Sequence, residues 1–189
     1  WLNEGFATYL DGLVYEKFDG EAVFSQWRKA VVNNIISSPS GSTFVTDTTS
    51  VSRIFNSRLT YRKGAMIVHM LRYKLGDEAF FKGVQNYLAD PQLSFAYAKT
   101  PDLQRHLEAV SDTSLDEFFK DWFYGEGYPE YEVVWSQDDA DQLMHFQVSQ
   151  QQSHPSVSFF DMPLPITVTG TFGEKEKLRL EVSEDNQVF

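Results

Sequence analysis

The sequence predicts an α+β fold, a helical part followed by a short antiparallel β part, and three observations carry that prediction. Apolar residues recur at helical spacing up to Gly127 and at a period of two beyond it. Charge changes at the same place: residues 1–127 hold 16 acids and 13 bases, net −3, whereas 128–189 hold 11 acids and 3 bases, net −8. The 189 residues, 42% hydrophobic and 15% aromatic, suffice for one large or two small domains with a real core.

The opening segment reads as a helix because Leu2, Phe6, Tyr9, Leu10 and Leu13 share one face. Its other face carries Glu4 and Asp11 beside Ala7, Val14 and Phe18. A helix apolar on both sides is expected to be buried, and a buried carboxylate needs a partner. For Glu4 that partner can be an arginine, a metal ion or solvent, and spacing alone favours the structural ion pair over the metal. Helix ends are marked by Asp19-Gly20, Ser38-Pro39-Ser40-Gly41, Gly76-Asp77 and Asp90-Pro91, giving about six helices. The Ser- and Thr-rich stretch 37–56 reads as a long irregular connection.

Thr48–Gly76 contains no acid and six bases, Arg53, Arg58, Arg62, Lys63, Arg72 and Lys74. Asn56 or Ser57 can cap a helix with Tyr61 in its first turn. Gly64 then falls inside that helix at a cost of about 1 kcal/mol relative to Ala, which predicts close packing against another backbone. A tyrosine at a helix start in a positive environment suits a hydrogen-bond donor to a developing oxyanion. The plainer reading is a half-buried tyrosine with its hydroxyl in water. Further on, Thr100 reads as an N-cap with Pro101 at the first helical position, and Ser114 as the cap of 115–124.

After Gly127, Tyr131, Val133 and Trp135 alternate, as do Met144, Phe146 and Val148 against Leu143, His145, Gln147 and Ser149. Segments 166–169 and 178–182 complete four or five strands, half of a β-sandwich. Asp138, Asp139 and Asp141 read as a solvated turn.

Composition narrows the chemistry. The absence of cysteine removes disulfides, thiolate metal sites and a cysteine nucleophile. A net charge of −11 argues against nucleic acid or an anionic membrane as partner, and no apolar run reaches the ~18 residues of a membrane span. His69, His106, His145 and His154 form no i, i+4 pair and no H-E-x-x-H, and His69, among Met66, Ile67, Val68, Met70 and Leu71, reads as a core histidine. Phosphate-binding Gly-rich loops and a G-x-S-x-G elbow are also missing from the sequence.

Three stretches together resemble the aminopeptidase N type of thermolysin-like zinc metallopeptidase. Trp1-Leu-Asn-Glu4-Gly-Phe-Ala7 is similar to the segment that follows the family's H-E-x-x-H helix, and the resemblance implies that Glu4 is the third zinc ligand. Tyr61-Arg-Lys-Gly64-Ala is similar to the family's Tyr-x-Lys-Gly segment, which makes Tyr61 the implied donor to the tetrahedral intermediate. Thr100-Pro-Asp-Leu103 through Phe118-Phe-Lys-Asp-Trp122, then Gly127-Tyr-Pro129, is similar to the close of the catalytic domain.

The resemblance implies residues 1–127 as the helical C-terminal half of a catalytic domain and 128–189 as an incomplete β-sandwich domain. It implies a zinc-dependent aminopeptidase that removes N-terminal residues from peptides. H-E-x-x-H and the amine-binding segment are not in the sequence, so the chain is expected to be a fragment that by itself neither holds catalytic zinc nor cleaves peptides. The alternative is a non-catalytic helical plus β interaction module. If the first helix normally lies against a further helix, Leu2, Phe6, Leu10 and Leu13 present an apolar face, and self-association is expected. The chain starts with Trp and shows no signal or transmembrane segment, so localisation stays open.

Overall fold

The computed structural model describes residues 1–138, 140–141 and 143–189. Helices come first: α1 (Leu2–Phe18), α2 (Glu21–Ile35), α3 (Val51–Ile54), α4 (Gly64–Leu75), α5 (Asp77–Ala89), α6 (Thr100–Ser111) and α7 (Asp116–Phe118). Two π-helical turns, Ser57–Lys63 and Phe119–Tyr124, precede α4 and extend α7. Strands β1 (Pro129–Asp138), β2 (Leu143–Gln152), β3 (Leu164–Thr169), β4 (Lys175–Leu180) and β5 (Gln187–Val188) follow. This is the α+β architecture expected from the change of period.

The helical core is built from aromatic and branched side chains that the helical period brings inward. Tyr9, Phe24, Ile67, Val68, Leu71, Phe80, Leu103, Leu107, Phe118 and Phe119 are all 2% exposed or less, and each such burial is worth about 1.5–3 kcal/mol. Gly76, at φ 80, ends α4 and begins α5 with no other residue between them, a conformation that glycine adopts without strain. Val157, Phe160 and Met162, in the link between β2 and β3, join this core, with Phe160 4.6 Å from Trp122 by ring centroids.

The β part makes two antiparallel sheets, β1-β2-β5 and β3-β4. Ten register pairs run from Pro129↔Gln152 to Asp138↔Leu143. Phe146, Val148, Leu180 and Val182 form a second core between the two sheets, with Tyr131, Met144, Leu164 and Ile166 against it. The period of two therefore points Met144, Phe146 and Val148 inward as expected. The turn after β1 is closed by Asp138 Oδ1, which accepts from the backbone N–H of Ala140 at 2.9 Å and of Asp141 at 3.3 Å; Asp139 lies outside the described residues.

Four expectations need correction. α1 is not buried on both sides: Leu10 is 56%, Val14 50% and Phe18 79% exposed. The open apolar face expected of Leu2, Phe6, Leu10 and Leu13 is open at Leu10, while Leu2, Phe6 and Leu13 are partly buried against the helical core and Leu2 and Phe6 line a groove with Leu88 and Phe95. In the edge strand β1, Val133 and Trp135, paired with Val148 and Phe146, are 37% and 61% exposed. Thr100 is not a cap; Asp102 Oδ2 accepts from the Lys99 N–H at 2.8 Å instead, and the Thr100 hydroxyl accepts from Trp1 Nε1 at 2.9 Å. The connection 37–56 also contains one ordered turn, α3, capped by Ser50.

Among the described residues no helix is long and apolar enough to cross a membrane.

Candidate active site

Glu4 and Tyr61 are brought together by two glycines. Gly5, one residue after Glu4, is buried on the face of α1 that meets α4, and a Cβ built on it would lie 2.9 Å from the Gly64 carbonyl carbon. From the other side, a Cβ on Gly64 would lie 3.2 Å from Gly5 Cα. The two helices therefore touch backbone to backbone, which is the compensation expected for a glycine inside α4. The first turn of α1 is fixed further by Trp1, whose ring sits 5.2 Å from that of Phe123.

The other half of the contact is a π-helical turn. Asn56 caps it, its Oδ1 accepting from the N–H groups of Arg58 at 3.1 Å and Leu59 at 3.0 Å. Tyr61 sits near the end of that turn, half-buried, and such turns recur at functional sites. Burial first, then the negative charge of Glu4 and its hydrogen bond with the phenol, hold the Tyr61 hydroxyl above the usual tyrosine range. The phenol therefore stays protonated and able to donate at neutral pH.

The basic stretch does not surround Tyr61 with positive charge. Arg58 donates to the carbonyls of Ile35 at 3.4 Å, Ser38 at 3.0 Å and Ser40 at 2.6 Å, and Arg53 to those of Ser42 and Phe44, both at 2.8 Å. Arg62 donates to Asn34 and Lys63 to the Gly125 carbonyl. Arg72 is gripped by Glu16 and Asp77, and Lys74 by Asp161. These cations hold the 35–44 connection and the helix ends in place, and the charge facing Tyr61 is the carboxylate of Glu4.

The histidines stay apart from this pair. His69 Nδ1 lies 3.3 Å from Tyr9 Oη and its Nε2 3.5 Å from Arg28; burial, then Arg28 and Arg72, lower its pKa to about 4. His106 binds Asp90 and His154 binds Ser156. Among the described residues no three His, Asp or Glu side chains come together in a metal-ligating group. Glu4 fits the part of one carboxylate ligand, whereas a zinc site takes three or four protein ligands, so the described residues do not make a complete zinc centre.

The Peptidase family M1 domain matches residues 1–122, which include Glu4, Tyr61 and all seven helices. The chain belongs to peptidase family M1. Tricorn protease-interacting factor F2 of Thermoplasma acidophilum is 29% identical over 97% of the chain and 24% of its own length. Aminopeptidase M1-A of rice, Oryza sativa subsp. japonica, is 32% identical over 68% of the chain and 15% of its own length. The fold matches the crystal structure of Legionella pneumophila aminopeptidase A in complex with aspartic acid, with a TM-score of 0.75 over 98% of this chain and 20% of that one, at 17% identity. This M1 chain thus spans a quarter or less of the length of these relatives.

The sequence pointed to both members of the pair but missed two supports. The indole of Trp1 reaches α6 through Thr100, and Gly5 is the partner of Gly64. A Gly next to a candidate ligand, on the face turned toward a second helical Gly, was the available signal.

Proposed function

We propose that the chain is the C-terminal part of the catalytic machinery of a zinc aminopeptidase, acting on peptide substrates within a longer polypeptide. The carrying observation is the Gly5–Gly64 contact, which sets Glu4 against the protonated hydroxyl of Tyr61. In this reading residues 1–127 complete the catalytic domain and 128–189 open the following β domain. Glu4 supplies one carboxylate ligand to zinc, with the other ligands contributed from elsewhere in the polypeptide. When bound, the metal would supply Lewis-acid polarisation of the scissile carbonyl. Tyr61 donates its O–H to the carbonyl oxygen as that oxygen gains charge, a contact stronger in the transition state than in the ground state. The Asn56 cap and the glycine contact keep the donor in place.

Two substitutions in the longer polypeptide test the assignment through different readouts. Glu4→Gln is expected to lower zinc content sharply. Tyr61→Phe should keep its zinc and cut turnover of an aminoacyl 4-nitroanilide by about 10²-fold or more. Full activity in a zinc-replete Tyr61→Phe enzyme rejects the tyrosine's role, and full zinc occupancy in Glu4→Gln rejects the ligand. The 189-residue chain alone is expected to take up no tightly held zinc and to be inactive; a tight one-to-one calorimetric titration with Zn²⁺ contradicts this. Its exposed apolar stripe, Leu10, Val14 and Phe18, supports concentration-dependent self-association, to be read by light scattering.

A further inference from the structure

Away from Glu4 and Tyr61, a groove of about 520 Å³ runs along α2 to the start of β1, within the roughly 300–1,000 Å³ of small-molecule sites. Its walls are apolar: Val32 and Ile36, each 40% exposed, face Met66, Met70, Trp122 and Tyr128. Val32 and Ile36 share this concavity, so their open surface forms one apolar seat rather than two scattered patches.

The charges in the groove have one sign. Arg28, Lys29 and Lys63 line it, and among the described residues no Asp or Glu does. Two carboxylates stand nearby. Glu21 takes the Nη2 of Arg28, and Glu126, which accepts from the Gly41 N–H, faces Lys63. Glu21 thus neutralises Arg28, which also lies over the Phe24 ring, whereas among the described residues Glu126 makes no hydrogen bond to Lys63. Lys63, 4% exposed, has three N–H donors and one acceptor, the Gly125 carbonyl at 3.2 Å. Lys29, one turn before Val32 and Asn33 on the same face of α2, has no hydrogen-bond or ion-pair partner among the described residues. An apolar trough with an unpaired ammonium at its rim and an under-coordinated one in its floor is complementary to a ligand with an aliphatic tail and an anionic head.

We propose that the groove between α2, α4 and the start of β1 binds a small aliphatic monocarboxylate, its tail on Val32, Ile36, Met66 and Met70 and its carboxylate on Lys29, with Arg28 alongside. Binding there involves neither Glu4 nor Tyr61, so its failure is distinguishable from failure of the peptidase reading.

The test is calorimetric titration of the 189-residue chain with sodium octanoate, octanol and octylamine, each below its aggregation threshold. Octanoate is expected to saturate one site, octanol to bind more weakly, and octylamine least. Lys29→Gln, at an exposed position, should weaken octanoate about fivefold and leave octanol unchanged, as for a charge pair near the surface. Val32→Glu should abolish octanoate binding with an unaltered thermal midpoint. The proposal is overturned if octanoate gives no saturable heat or if Lys29→Gln leaves its affinity intact. It is also overturned if octanol and octanoate bind alike, which would mark an apolar seat of the kind another polypeptide covers.

Discussion

A methyl group on Gly5 perturbs the contact on which the candidate active site depends. The added Cβ lies 2.9, 3.1 and 3.2 Å from the carbonyl carbon, carbonyl oxygen and Cα of Gly64. All three are backbone atoms at the start of a helix, so no side chain can rotate away, and α1 must part from α4 by about 0.5 Å or more to reach ordinary carbon–carbon contact. Overpacking of this kind costs roughly 1–3 kcal/mol. Replacing a helical glycine by alanine returns about 1 kcal/mol. With rigid backbone on both sides the upper part of the range applies, and Gly5→Ala should lose about 1–2 kcal/mol. At roughly 2–4 °C per kcal/mol for a chain of this size, the thermal midpoint falls by about 2–8 °C. Scanning calorimetry with urea titration measures the loss, and ultraviolet titration of Tyr61 measures the local consequence: a phenol moved away from Glu4 should ionise at lower pH. In Gly5→Ala/Gly64→Ala the second methyl should cost less than it does alone, since the helices have already separated. A Gly5→Ala chain as stable as the parent, with Tyr61 titrating as before, would show that the helices are not in backbone contact there.

Three further outcomes follow from two buried charges and one carbonyl-capping arginine. Lys63, held down to about 8 by burial and then by Arg58, binds fewer protons folded than unfolded between about pH 8 and its ordinary value of 10.5. Its contribution to stability therefore rises with pH across that window, and the wild-type minus Lys63→Met difference from urea titrations should rise with it; a flat difference contradicts the burial. Asp121 is pushed up to about 6, chiefly by burial, so the folded state binds more protons than the unfolded one between its ordinary 3.8 and 6, and stability is lost as pH rises through that range. Asp121→Asn should consequently stabilise the chain at pH 7 and lose that advantage at pH 4. Arg58→Ala leaves the carbonyls of Ile35, Ser38 and Ser40 without their donor; chymotryptic cleavage after Phe44 should quicken several-fold while the calorimetric midpoint of the helical core changes little.

How much could be seen in the sequence depended on whether the signal was local. The helices, the cap at Asn56 and the inward set Met144, Phe146 and Val148 are properties of a few consecutive residues, and the structure has them where the periods put them. The same rule left the exposure of Val133 and Trp135 undecided, because alternation says which residues share a face and nothing about whether a second sheet reaches that face. It also overstated the burial of α1, since a helical wheel cannot tell a covered apolar stripe from one left open at Leu10, Val14 and Phe18. The basic stretch was illegible for a different reason. An arginine that caps three carbonyls more than a dozen residues upstream has no partner of opposite charge to betray it, and a carbonyl is carried by every residue.

Gly64 shows what lies between these cases. A glycine inside a helix is a local anomaly with a known cost, and that cost predicts a close neighbour without naming it. The neighbour turned out to be the glycine beside Glu4, so the position that looked weakest by propensity is the one that fixes where the candidate donor stands relative to the candidate ligand. Glu4 and Tyr61, by contrast, are ordinary by propensity, and composition alone gave each a plainer reading as an ion pair and a wetted phenol. Their pairing follows from the two residues that have no side chain, which is why substituting Gly5 or Gly64 should disturb the Tyr61 titration even though neither bears a group that could titrate.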